Sequence, residues 1–535
     1  MKTLDQVEPR TPISALPFTI SAPGSYYVTA NLTGAAGSHG ITIAAPDVSL
    51  DLNGFALIGV PGSLNGIEVT AAGVNRSIRN GTVRGWGGNG VNGMPTDPCI
   101  LIAMRAIGNG GDGVRVGDRS QVQECISYGN AGAGLRGGSD VNLRVMLTFT
   151  NGDFGMVFEA RAALRGSVAR GNGNDGIKVG DRSKVVDCRS SANTGAGMRG
   201  AANVEIDASC AASNQGGGIV LGDGAVVNGT TTDANTGNGL MAGSGATIVA
   251  SHARDNSNHG FYIDETGILP DDPETRDSAA ERNGGDGFRA TDGPEDGRSV
   301  RLVHCMFVGN GAFGASVAHG STVRDCTFAS NVIGGLQGGA KVAFDGNRVR
   351  SNGGIGINIG DGSRVRDCMI TGSISNGLTV GANCSIADSA FNENGGVGAI
   401  VGDGSIVSNC TAGGNVLGGL QGGSKVSFNC NALMPNGGIG MTVGDGSTVR
   451  DCRITGSKSH GLSVGSKCSI SCDAFSENGL TTGGDNLHVS GTGNQIRQNT
   501  ATNPGGLNYN VPAQNEFVPE SSAAAATSPF ANLTY

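Results

Sequence analysis

The sequence predicts an all-β fold, a right-handed parallel β-helix built as a single solenoid. Three observations predict it. First, an asparagine returns at 109, 130, 151, 172, 193, 214, 235 and 256, always 21 residues apart. It recurs at 283 and 310 after steps of 27, then at 331, 352, 394, 415, 436, 478 and 499, with Ser373 and Ser457 standing in, so 19 phased positions hold 17 Asn and 2 Ser. Second, apolar residues fall 5, 7, 13, 16 and 18 positions after the asparagine, as Ile357, Ile359, Val365, Cys368 and Ile370 do after Asn352. Third, Gly-Asp-Gly-Ser and Gly-Asp-Arg-Ser runs interrupt alternate periods. Spacings of two mark short strands and the glycines mark bends, whereas a helix needs spacings of three and four. Three short strands per coil, stacked coil on coil, make a parallel β-helix, and parallel crossovers are overwhelmingly right-handed.

Composition bounds the rest. A repeat array grows without adding separate cores, so 535 residues do not call for several domains. Glycine, at 95, has no collagen spacing and serves turns. Aromatics are 4% of the chain, with Trp86 the one tryptophan, which predicts a core of small and β-branched residues in thin layers. A net charge of −9 lacks the basic footprint of a general nucleic-acid binder. No apolar run approaches the ~18 residues of a membrane span. The start, MKTLDQVEPRTPIS, has no apolar core of a secretory leader, which suits a cytoplasmic chain or one whose leader is left out. Seven of the 13 cysteines (Cys125, Cys188, Cys305, Cys326, Cys368, Cys410 and Cys452) each lie five residues before the next phased position, Asn in five cases and Ser373 or Ser457 in two. That phase suits small buried apolar residues in a column rather than a disulfide framework, and no CxxC pair marks a zinc site.

Taken in order, residues 1–35 are an irregular cap segment, with Ile13, Phe18, Ile20 and Tyr27 placed to cover the first open layer. The β-helix is expected over 36–499, with coils of less regular length at 40–59 and 66–90 and regular coils from about 109. Stacked at a bend, the phase asparagines should hydrogen-bond as a ladder. The GDGS and GDRS turns place Asp118, Asp181, Asp223, Asp361, Asp403 and Asp445 in a second column, mostly 42 residues apart. Asp favours such turns for local reasons. Residues 331–414 and 415–498 match at a shift of 84, a duplicated four-coil block that favours scaffold there. Coils over 257–310 are overlong, with inserts at 264–278 and 291–299. Residues 500–535 lose the period and read as an irregular tail.

The G-I-x-V-G-D-G-S-x-V-x-D-C-x-x-x-x-N coil and the entry stretch DVSLDLNGFALIG (47–59) resemble the right-handed parallel β-helix repeat proteins of the pectin-lyase-like superfamily. The resemblance covers nearly the whole chain. It implies an extracellular or cell-surface location. It spans polysaccharide lyases, hydrolases, uronan epimerases, tailspikes and adhesins, and no catalytic motif of theirs carries over residue by residue.

Two constellations stand out. The outward residue of each first strand, six after the asparagine, is Arg115, Arg136, Lys178, Arg199 and Arg289 in five coils, all in the N-terminal part of the face. Such a row, rising ~4.8 Å per coil, suits the acid groups of an extended polysaccharide. The bland alternative is a solvated face, neutralised by Asp112, Asp175 and Asp286. The second constellation is the insert pair, where Asp264, Glu265 and Asp292 belong to an acidic cluster of the kind that takes Ca²⁺, or else a solvated loop. In a lyase or epimerase, Lys178 or Arg289 would abstract a proton and Tyr262 or His259 return one. The sequence thus supports a protein that binds an acidic glycan, and leaves open whether it also acts on it as a lyase, an epimerase or a glycoside hydrolase. The rival is a non-catalytic surface rod or tailspike-like protein.

Overall fold

The computed structural model describes residues 10–93, 97–264, 272–290, 299–517, 520–522 and 524–535. All regular elements among them are β-strands, stacked in parallel from coil to coil. Contacts divide the chain into two units, Met1–Asp271 and Asp272–Tyr535.

The coil from Asn172 shows how a period is used. Ile177–Val179 lies in one sheet, and Lys184–Val186 and Arg189–Ser191 lie in the other. The first strand points its two ends inward and the next two point their middle residues inward, which buries Ile177, Val179, Val185 and Ser190. The bends between strands are left-handed residues, Arg182 (φ 56°), Asp187 (φ 52°) and Ala192 (φ 54°). Side chains other than glycine therefore take these corners, at a conformational cost that the stacked coils hold in place.

Glycine is required elsewhere. Asn172 donates from its amide to Asn193 Oδ1 at 2.9 Å and from its backbone N–H to the same oxygen at 3.0 Å, and Asn193 repeats this with Asn214. This is the predicted asparagine ladder. A Cβ at Gly176, four residues after Asn172, would stand 2.5 Å from Asn193 Nδ2, so the ladder demands glycine opposite each rung. Ser373 and Ser457 are shortened rungs. Each still donates its N–H to the next asparagine, and each leaves its buried hydroxyl without a partner.

Asn499 does not belong to this ladder. Leu462 pairs with Leu487 and Ala474 with Thr500, steps of 25 and 26, so the coil there is longer than 21 residues. Asn478 bonds to Asn486 at 2.8 Å, while Asn499 Oδ1 accepts the N–H of Asp473 at 2.9 Å. The sequence spacing of 21 to Asn499 is a coincidence of an insertion.

Asp473 and Asn499 stand in the column of the phased cysteines, which is more polar than the cysteines alone suggest. Side chains there accept the N–H of the preceding coil: Cys188 donates to Ser209 Oγ (3.1 Å) and Cys326 to Asn347 Oδ1 (2.8 Å). The cysteines themselves are buried and unbridged. Burial pushes the thiols of Cys188 and Cys452 up to about 11 and about 12. The turn aspartates form a third column of acceptors. Asp118, Asp361 and Asp445 each take an N–H from the following coil at 2.7 Å. A Cβ at Gly381 or Gly465 would fall on that carboxylate oxygen, so those two turns are held to glycine.

Three expectations are corrected. The core is not free of aromatics. In the second unit Phe288, Phe307, Phe328 and Phe344 are buried in one stack with centroids 6.4, 5.3 and 5.9 Å apart, and in the first unit Trp86 is buried with its Nε1 on Leu57 O at 3.1 Å. In the cap, Ile13 and Ile20 are buried, but Tyr27 faces outward under Arg10, whose guanidinium lies 4.6 Å from the ring. The cap is itself coiled, with Phe18–Ile20 pairing with Ile41–Ile43 and Tyr26 with Leu50. The tail is not irregular throughout. Thr500–Thr502 stacks on Ala474–Ser476, and Leu533 pairs with Thr500, so coiling continues past 499.

Candidate functional site

In the first unit the outward residues of the first strands form one register-aligned row. Glu68, Asn92, Arg115, Arg136, Val157, Lys178, Arg199, Val220, Met241 and Tyr262 follow one another strand by strand. The structure therefore brings Arg115 beside Arg136 and Lys178 beside Arg199. It does not bring Lys178 to Tyr262, which stands four strands on, ~19 Å at ~4.8 Å per strand. Tyr262 instead stacks on His259, with centroids 5.7 Å apart.

The row is partly neutralised, and by a recurring device. Asp112 uses Oδ1 to accept the N–H of Ala133 (2.7 Å) and Oδ2 to hold Arg136 Nε (2.9 Å). Asp175 does the same with the N–H of Ala196 (2.7 Å) and Arg199 Nε (2.7 Å). One carboxylate oxygen fixes the next coil and the other fixes a base on the sheet face. Arg136 also reaches Asp153 at 3.4 Å. Among the described residues, Arg115 and Lys178 have no ion pair. Lys178 Nζ lies 5.1 Å from the centre of the Phe154 ring. Arg115, Arg136, Asp118 and Glu159 line a cleft of ≈270 Å³.

In the second unit Arg289 shows the same device, with Nη1 3.3 Å from Asp286 Oδ2 while Asp286 Oδ1 accepts the N–H of Phe313 at 2.9 Å. Arg289 borders a cleft of ≈300 Å³ with His319 and Gln337. Its row continues through Ser316, Gln337 and Asn358 without further cations. A cleft of ≈570 Å³ lies elsewhere, over the third strands, but its two carboxylates, Asp367 and Asp388, both face Arg366 at 3.2 and 3.6 Å. Of the predicted metal ligands, Glu265 and Asp292 lie outside the described residues. Asp264 follows the strand Phe261–Ile263 and donates its N–H to Ala242 O at 2.8 Å.

Sequence reasoning missed a third cluster, His460, Asp485 and His488. Their ligand atoms all lie within 4.8 Å of one another. Asp485 is buried, accepts the N–H of Leu507 on Oδ1 (2.9 Å), and meets His488 Nδ1 (3.0 Å) and Asn510 Nδ2 (2.8 Å) on Oδ2. His460 Nδ1 accepts the N–H of Asp485 at 2.9 Å, and the two rings stack at 4.2 Å. Burial and then the neighbouring His488 charge push the His460 ring below the usual histidine range. Burial raises Asp485, but the Leu507 N–H and the Asn510 and His488 contacts outweigh it and hold the carboxyl low. The signal was available only as two of the chain's 7 histidines and an aspartate in and beside the run GLTTGGDN. The 21-residue phase misplaces them, because the insertion shifts Asp485 and His488 into the positions that Asp175 and Lys178 hold in a regular coil.

The family model for a right handed beta helix region matches residues 155–272 and 336–475. The fold is the right-handed parallel β-helix that this model describes, over somewhat less than half of the chain. No curated protein matches the sequence. Solved structures similar to this β-helix include the A-module of a mannuronan C-5 epimerase from Azotobacter vinelandii, at 12% identity over 80% of this chain and 88% of that one, TM-score 0.23. A periplasmic alginate epimerase is similar at 12% identity over 65% and 78%, TM-score 0.27. The Dettilon tailspike protein is similar at 12% identity over 66% and 59%, TM-score 0.24. These are likenesses of fold alone. No helix among the described residues of the β-helix is long and apolar enough to cross a membrane.

Proposed function

We propose that the protein binds an acidic polysaccharide along the outward face of the first strands in its first unit. The observation that carries this is the pairing of one free and one anchored cation, twice over. Arg115 sits beside Arg136, and Lys178 beside Arg199, with Val157 between the pairs. The anchored guanidinium groups are held by Asp112 and Asp175, so they lose little freedom on meeting a ligand, and Arg199 keeps 43% of its side chain exposed. The unpaired Arg115 and Lys178 supply the net positive charge that a carboxylate or sulfate needs. Successive cations rise by ~4.8 Å, close to the rise per sugar of an extended chain. An acidic glycan of this kind is met outside the cell, and the extracellular or cell-surface location expected from the resemblance belongs to the same proposal.

Affinity electrophoresis in gels cast with a polyuronate, a sulfated glycan or a neutral glucan tests this. Retardation is expected in the two acidic gels, weakened at least tenfold by Arg115→Ala with Lys178→Ala and weakened by added salt. Equal retardation in the neutral gel, or none in any gel, overturns the reading. The rival reading, a spacer without a specific ligand, predicts that last outcome, and the backbone-capping role of Asp112 and Asp175 is the observation that favours it.

A further inference from the structure

We propose that His460, Asp485 and His488 form a binding site for one divalent transition-metal ion of the zinc class. Asp485 Oδ2 lies 3.0 Å from His488 Nδ1 and 3.6 Å from His460 Nδ1. Ligands at about 2.0–2.2 Å from a tetrahedral zinc stand about 3.3 Å apart, so the two separations bracket what such an ion requires. The donor set is two imidazoles and one carboxylate. That combination selects zinc and its neighbours over Ca²⁺ and Mg²⁺, which take oxygen ligands.

The parts are held as a metal site needs. The Leu507 N–H and Asn510 amide fix the Asp485 carboxylate, a supporting shell that keeps Oδ2 turned to both rings. The three residues come from adjacent coils, so backbone pairing, not a mobile loop, sets their spacing: His488 stands between Ser463 and Asn510 in the sheet. The two rings keep 26% and 32% of their side chains exposed, which leaves a path in and an open coordination position toward solvent. Loading exchanges two hydrogen bonds for metal bonds. His488 Nδ1 gives up its contact to Asp485 Oδ2 and releases the proton it shares there, and His460 Nδ1 gives up the Asp485 N–H. The stacked rings fan apart by a turn about their side-chain bonds to aim both nitrogens at one point.

The inference does not rest on the glycan reading, which concerns the first unit. The test is equilibrium binding of Zn²⁺ and Co²⁺ to the untagged full chain after chelation, with visible absorption of the Co²⁺ form as a readout of coordination. One ion per chain and an intense tetrahedral Co²⁺ band are expected. His488→Ala and His460→Gln should each weaken binding at least tenfold. Asp485→Asn risks the fold because Asp485 caps Leu507, so the half-buried His488 is the decisive position, with its circular dichroism and thermal midpoint checked beside binding. Absence of binding to the wild type, retention in a folded His488→Ala chain, or displacement by equimolar Ca²⁺ would each overturn the site.

Discussion

Cys452 donates its backbone N–H to Asp473 Oδ1 at 2.7 Å, and Asp473 Oδ2 is buried with no partner. Burial pushes this carboxyl up to about 8, only partly opposed by the Cys452 N–H. The folded value lies above the ordinary 3.8, so its contribution to stability is fully present below about pH 4 and is lost as pH rises toward 8. The limiting slope is about 1.4 kcal/mol per pH unit. Asparagine fills the same column at Asn431 and Asn499, accepting the same kind of N–H. Asp473→Asn is therefore expected to match the wild type near pH 4 and to exceed it increasingly in thermal midpoint up to pH 8. Parallel pH profiles would refute the assignment.

The asparagine ladder makes a graded prediction. Asn193→Ala strands the N–H and amide of Asn172, both now on Asn193 Oδ1, and should cost about 3 kcal/mol in urea unfolding. Asn193→Ser should cost less, because Ser373 and Ser457 already serve as rungs. An alanine variant as stable as the serine one would show that the ladder contributes nothing beyond packing.

Val145 holds φ at 54° on a half-exposed corner. A β-branched residue is strained there, while Asn409 takes the equivalent corner at φ 55°. Val145→Asn is expected to stabilise the first unit by about 1 kcal/mol, read by urea midpoint. No gain would mean that the valine side chain makes compensating contacts.

The thiols differ in exposure, with Cys210 intermediate. Cys430 and Cys472 are exposed, and Cys125, Cys188, Cys368, Cys410 and Cys452 are buried with burial pushing each to about 11 or 12. Titration of the folded chain with a thiol reagent should label Cys430 and Cys472 in a fast phase, with these five labelled only on unfolding. Rapid modification of Cys188 or Cys452 would contradict their place in the core.

Much of the fold was legible because a solenoid writes its geometry as a period. Asn172, Ile177, Val179 and Val185 each recur at a fixed interval, and identical neighbours above and below make identical demands. Where the interval changes, the reading failed: Asn499 kept the spacing of 21 yet moved to another column, since an insertion before it reset the register. The charged row was legible as residues, not as a site. Asp112 and Asp175 were legible as neutralising charges, but that each holds the cation of the following coil, Arg136 and Arg199, was not.

The sequence by itself determined the coil, its three short strands and the asparagine ladder, because stacking repeats one local pattern and needs no distant information. Only the tertiary structure decided which side chains meet across coils. Hydrogen bonds between coils act over a few ångströms but over 21 or more residues of chain, and one insertion changes the partner. His460, Asp485 and His488 converge for that reason. Separated by 25 and 3 positions in sequence, they are set side by side by the pairing of Leu462 with Leu487.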